Sequence, residues 1–194
     1  MNISYQCIIS WGVSVLKNLT YSSKIISWNC GRCTNKIELS DIFFASYNEK
    51  TKLIYAETEQ NFIKQGVLYF DLDGNTVMNY NFETGEINWM HHEISNHLKF
   101  DELIQVGYFP LKNLLLIMLN KSKRDVIALD LDGEYLYEVE KPIDFEMLYF
   151  QEFPDYIAIV CEGNKNQEDK YGRNRFNFKL NQDTGILDKE DLAY

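Results

Sequence analysis

The sequence predicts an all-β, mainly antiparallel fold built from repeated three-to-four-stranded meanders. Three observations predict it. Aromatic residues make up 14% of the 194 residues, with 13 Tyr and 12 Phe, and such side chains suit a pleated, half-buried surface. The tetrapeptide Asp-Leu-Asp-Gly occurs twice, at 71–74 and 130–133, each time between two apolar runs. An Asp-Gly pair in that setting signals a hairpin, because a two-residue type I′ turn needs positive φ at both central positions. Finally, similar β units recur at a spacing of roughly 50–60 residues, within reach of the longer propeller-blade repeats. A small or incomplete β-propeller-like arrangement is therefore expected.

Taken in order, residues 1–41 form the least legible unit. Alternation over Ile8 to Leu16 and Lys24 to Trp28 predicts strands, and Asn29-Cys30-Gly31-Arg32 predicts a turn. The first clear unit, about 42–90, holds strands at Leu53–Ala56, Gly66–Asp71, Thr76–Tyr80 and Ile87–Trp89, with a turn at Glu83-Thr84-Gly85-Glu86. The second, about 106–150, runs from Leu114–Met118 through a polar link at Lys123-Arg124 to Val126–Asp130 and Tyr135–Val139. The third, about 151–190, holds Tyr156–Val160, a polar loop from Gly163 to Gly172, and Arg175–Leu180. Its closing Asp183-Thr184-Gly185 echoes the Glu-Thr-Gly of the first. At most one short helix is expected, near 92–104, where Ile94, Leu98 and Leu103 stand at approximate helical spacing. All 194 residues are expected to form a single domain.

With Asp73-Gly74 and Asp132-Gly133 as central pairs, the register predicts Phe70 opposite Val77, Tyr69 opposite Met78, Leu129 opposite Leu136 and Ala128 opposite Tyr137. Asp73 and Asp132 are then turn residues. Asp71 and Asp130 are left as equivalent carboxylates on one face, near Tyr69, Tyr135 and Tyr137.

Charge narrows the function. Twenty-nine acidic against 19 basic residues give a net charge of −10. Free nucleic-acid binders derive affinity from cations that neutralise phosphate, and anionic membranes attract basic segments, so neither partner is expected. A basic protein partner is favoured, with electrostatics accelerating encounter. The apolar stretch from Cys7 to Leu16 lacks a basic leader and a cleavage site and is too short to span a bilayer. Cytoplasmic location with reduced thiols is therefore expected.

No constellation matches a catalytic or metal motif. Cys30-Gly31-Arg32-Cys33 has the spacing of half a zinc site, but Cys7 and Cys161 are single. His91, His92 and His97 fall in one segment without zincin spacing; a hydrolase or nuclease could use one of them as a base, but fortuitous histidines on a surface helix or loop are the preferred reading. Asp71/Asp73 and Asp130/Asp132 supply too few oxygens for a calcium loop. No cofactor, metal or catalytic residue is assigned. Tyrosines rimmed by carboxylates instead suit protein binding. The candidate partner-binding residues are Asp71, Asp130, Glu134, Glu138, Tyr69, Tyr135 and Tyr137.

In its small size, acidity, Asn/Lys/Ile-rich sequence and lack of catalytic residues, the chain resembles immunity proteins of bacterial contact-dependent growth inhibition systems. That resemblance implies a non-catalytic protein that binds and blocks a basic toxin domain, often a nuclease, by placing carboxylates where phosphate would lie. The alternatives are a propeller-like carbohydrate-active enzyme or binding module, gathering acids from two or more repeats in a pocket, and a WD-type interaction scaffold.

Overall fold

The computed structural model describes residues 16–31, 33–120 and 124–193. They form seventeen strands. The first three are β1 (Leu16–Tyr21), β2 (Ile25–Cys30) and β3 (Cys33–Glu38). Six more follow as β4 (Ile42–Asn48), β5 (Leu53–Gln60), β6 (Ile63–Phe70), β7 (Thr76–Asn81), β8 (Glu86–His91) and β9 (Ile94–Lys99). Then come β10 (Leu103–Phe109), β11 (Leu114–Asn120), β12 (Arg124–Leu129) and β13 (Tyr135–Val139). The last are β14 (Phe145–Glu152), β15 (Ile157–Gly163), β16 (Arg175–Leu180) and β17 (Leu187–Leu192). They make four antiparallel sheets, β1-β2-β3, β4 to β9, β10 to β13 and β14 to β17, each ordered as the chain runs. Among the described residues the only helical pieces are two 3-10 turns, Pro110–Lys112 and Lys165–Gln167. No helix of the described residues is long and apolar enough to cross a membrane.

The fold is thus all-β and built of meanders. Where a short helix was allowed, over 92–104, the chain forms β9, a turn and the start of β10. His92 and Glu93 have φ of 47° and 65°, so they reverse the chain as a two-residue turn between β8 and β9, and a right-handed helix cannot run through them. The strand expected over 8–16 lies outside the described residues except for Leu16, which opens β1. Cys7 and Lys123 also lie outside them.

The chain divides into two compact units. The first comprises the described residues up to Asn81 with Ile87–Met90, and the second Phe82–Glu86 with the described residues from His91 onward. In the first, alternation along β2 and β5 turns Ile26, Trp28, Ile54 and Ala56 inward, where they join Ile42, Ala45 and Phe70 in one core. In the second, Leu114–Leu119 of β11 and Ile157–Cys161 of β15 are buried without alternation. Such continuous apolar runs belong to strands covered on both faces. Leu116, Met118, Met147, Ile159 and Phe178 belong to one buried cluster of that unit. The last strand of its sheet, β17, carries the sequence Leu-Asp-Lys-Glu-Asp-Leu with four exposed charged residues, a composition that discourages further pairing at an edge.

Candidate functional site

The repeated Asp-Leu-Asp-Gly closes a different turn from the one its Asp-Gly pair predicts. Gly74 N–H donates to Asp71 O at 3.2 Å, and Asp71 N–H donates to Asn75 O at 3.0 Å. The second copy matches it, with Gly133 N–H to Asp130 O at 3.1 Å and Asp130 N–H to Glu134 O at 3.0 Å. Only the glycines have positive φ, 91° and 90°. The central residues are therefore Leu72-Asp73 and Leu131-Asp132, and each loop is a three-residue turn whose glycine supplies the left-handed position.

This corrects the expected register. Phe70 pairs with Thr76 rather than Val77, and Leu129 with Tyr135 rather than Leu136. A bulge one step on restores Tyr69 to Met78 and Ala128 to Tyr137. It also reverses the roles of the acids. Asp71 Oδ1 accepts from the backbone N–H of Asp73 at 3.0 Å and of Asn75 at 2.8 Å. Asp130 Oδ1 accepts from Asp132 N–H at 3.0 Å and Glu134 N–H at 2.9 Å. Asp71 and Asp130 hold the loops closed, while Asp73 and Asp132 are exposed.

A third copy was hidden in the polar loop after β15. Asp169 accepts from Tyr171 N–H at 2.7 Å and Arg173 N–H at 3.0 Å, with Gly172 N–H donating to Asp169 O at 2.9 Å. These bonds, with the Arg173 guanidinium, hold the Asp169 carboxyl below its ordinary range, its N–H contact with Arg173 acting most strongly. The shared signal is Asp-x-x-Gly, without the Leu-Asp between.

Replacing Asp130 by alanine should therefore lower stability by about 1–2 kcal/mol, the usual scale for losing a side-chain acceptor of backbone N–H groups. Asparagine at the same place should retain most of it, and Asp132→Ala should change little. Urea unfolding of the three variants checks the order.

Among the seven candidate residues, Tyr69 and Asp71 belong to the first unit and the other five to the second. Tyr69 meets Tyr55 edge-to-face at 5.3 Å, in a row that continues through Phe44 to Tyr21. The Tyr55 hydroxyl donates to Glu57, which also pairs with Lys64 at 2.8 Å. Burial first, then that hydrogen bond, pushes the Tyr55 phenol far above its ordinary value. Tyr69 is thus committed to an intramolecular aromatic row.

In the second unit, Tyr137 lies where a Cβ on Gly185 would meet its ring at 2.6 Å. Its hydroxyl is buried without a hydrogen-bond partner, and its pKa is pushed up to about 12 by burial and the nearby Asp183 charge. Tyr137 is a packing residue. Tyr135, at 62% exposed, and Leu136, at 44%, face solvent, flanked by the exposed Glu134 and Glu138. They lie on β13, the last strand of its sheet. Four of these neighbours, Glu134, Tyr135, Leu136 and Glu138, make the candidate contact surface; Leu136 was not among the expected residues because the uninterrupted register sends it inward.

The remaining reactive groups are placed as follows. His91 Nε2 lies 3.8 Å from Asp132 Oδ1, and the His91 and His92 rings are 4.0 Å apart. Among the described residues no group of three or more His, Cys, Asp or Glu could hold a metal ion. Cys161 is buried, which pushes its thiol up to about 12 and makes it a poor nucleophile. Cys30 and Cys33 face each other across the β2–β3 turn, and Cys30 is a free thiol. A pocket of about 350 Å³ in the first unit is lined by Ser40, Thr58, Gln60, Gln65, Asn79 and Asn81, with Asp41 its one carboxylate. Neither Asp71 nor Asp130 lines it.

No family model matches the sequence, and no curated protein matches it. Among solved structures the chain is similar to dihydro-heme d1 dehydrogenase NirN in complex with DHE, with a TM-score of 0.43 and 7% identity, over 87% of this chain and 42% of that one. The chain thus spans less than half the length of that protein, and this degree of likeness assigns it neither cofactor nor activity.

Proposed function

We propose that this chain is a non-catalytic acidic binding protein, an immunity protein that binds and blocks a basic toxin domain, with a nuclease domain favoured. One observation carries the reading. On the edge strand β13, an exposed Tyr135 and Leu136 stand between exposed Glu134 and Glu138, with exposed Asp132 in the preceding loop. Aromatic and aliphatic side chains at such a place supply anchoring area, and the carboxylates complement Lys and Arg on a partner. The net charge of −10 steers a basic domain toward the chain from a distance. On a nuclease, carboxylates would occupy the cationic positions that otherwise hold phosphate. We place the encounter in the bacterial cytoplasm. Fractionation tests this location.

The test uses the basic C-terminal domain of a secreted protein encoded immediately upstream of this chain. Binding should weaken in high salt. Tyr135→Ala should weaken it by about 30-fold, the scale of an interface anchor, while Glu134→Gln should mainly slow association. Absence of such a domain, no binding, or no protection of cells expressing it would sink the reading.

A further inference from the structure

We infer that Phe62, at the tip of the β5–β6 hairpin, is a partner-binding anchor that enters an apolar pocket with a basic rim on a protein. The inference rests on the reading of a basic protein partner and adds a contact in the first unit.

Two independent observations single this residue out. The first is backbone conformation. Gln60 pairs with Ile63, so Asn61 and Phe62 form a two-residue loop, with φ of 52° and 63°. That is the type I′ arrangement, for which Asn-Gly is the preferred pair. Asn61 fits the preference and Phe62 does not. The non-glycine residues at positive φ are Asn18, Asp41, Lys52, Asn61, Phe62, His92, Glu93, Glu102, Asn113 and Asp144 among the described residues. Phe62 is the one apolar side chain in that set. A bulky residue in the left-handed region is a conformational outlier, and outliers of this kind cluster at binding and switch sites.

The second observation is exposure. Phe62 is 98% exposed, and Ile63 beside it is 64% exposed. The ring contributes next to nothing to the core, so packing does not account for the residue. Its surroundings indicate what it fits. Register places the start of β4 at the same end of the sheet, with Ile42 opposite Thr58 and Phe44 opposite Glu57. Phe43 and Phe44 are also exposed there. The carboxylates at this end are those of Asp41, Glu57 and Glu59, against the ammoniums of Lys24 and Lys64; Lys64 is taken up by Glu57, which leaves Asp41 and Glu59 in excess over Lys24. An aromatic tip with an acidic surround complements an apolar pocket with a basic rim. An anionic bilayer is disfavoured by the same charges.

Phe62→Gly restores Asn-Gly and separates the two roles of the position. With the upstream basic domain as probe, the variant should bind at least about 30-fold more weakly than the wild type. Its Tm should rise by about 2–4 °C, because the left-handed position no longer carries a bulky side chain. Phe62→Asn, also at home at positive φ, should lose binding in the same way. A wild type that binds alongside a variant that binds equally well overturns the anchor and leaves the partner reading intact. A wild type that does not bind sinks both. A lowered Tm in both variants would assign Phe62 to the fold and overturn the inference. So would wild type that floats with neutral phosphatidylcholine vesicles when Phe62→Gly does not, since that outcome makes lipid the occupant.

Discussion

Gly85→Ala should lower stability by about 4 kcal/mol, toward the upper end of single-substitution effects. Two causes combine. Gly85 has φ of 68°, and an L-residue there costs about 1–2 kcal/mol. A Cβ at that position would also fall 1.7 Å from the carbonyl oxygen of Phe100. That oxygen is backbone, so it cannot rotate aside as a side chain could. Moving it disturbs the hydrogen bond from Phe100 N–H to Gly85 O, 3.0 Å long, which ties the loop before β8 to the end of β9. In thermal unfolding the loss should appear as a fall in Tm of about 8–16 °C for a chain of this size. Gly31 and Gly172 provide the control. Both have positive φ, 62° and 77°, yet a Cβ on either meets nothing within 4 Å. Alanine there should cost only the backbone term, about 1–2 kcal/mol. Equal losses at Gly85 and Gly172 would show that the close approach to Phe100 is unimportant.

Trp28→Ala should cost about 3–5 kcal/mol, the scale for emptying a large aromatic site. Trp28 is among the largest fully buried side chains of the first unit and packs with Ile26, Ile54 and Phe70. It is also the anchor of the first Asp-Leu-Asp-Gly loop. Its Nε1–H donates to the Leu72 carbonyl at 2.9 Å, and Asn35 Nδ2 donates to the same oxygen at 2.6 Å. Phenylalanine keeps most of the packing and removes one of two donors, so Trp28→Phe should cost about 1–2 kcal/mol. Because Asn35 still holds the carbonyl, losing both donors should cost more than the two single losses added together. A double-mutant cycle in urea reads that difference directly. Additive losses would mean that the two donors act independently on the loop.

The strands with continuous apolar or cleanly alternating runs were legible in the sequence, as Leu114–Met118 and Tyr156–Val160 illustrate. β9 and β10 were not. Ile94, Leu98 and Leu103 fit a helical spacing, and the residues that forbid it, His92 and Glu93, are not typical of type I′ turns. The repeated loop was found but misread. Both a two-residue and a three-residue turn can end in Asp-Gly, and what separates them is whether the Asp two places earlier caps backbone N–H groups. That is a matter of side-chain geometry, and it moved the structural role from Asp73 and Asp132 to Asp71 and Asp130. For the candidate surface, alternation was enough to bring out Tyr135. It could not show that Tyr137 is packed over Gly185, a residue distant in sequence, or that a bulge turns Leu136 outward. Phe62 left a usable signal: an Asn followed by a non-glycine, midway between two strands of equal length.

Every ladder among the described strands joins neighbours in sequence, and none of the four sheets contains a crossover. Pairing therefore requires only the closure of short loops, an inexpensive step entropically. Pairing of sequence neighbours keeps contact order down, and β-proteins with local pairings fold faster than those whose strands meet across the chain. Each hairpin can form as soon as its second strand has left the ribosome, before later strands exist. If the three capped Asp-x-x-Gly loops form early, removing Asp71, Asp130 or Asp169 should slow refolding as well as weaken the native state; unchanged refolding rates would place their closure after the rate-limiting step.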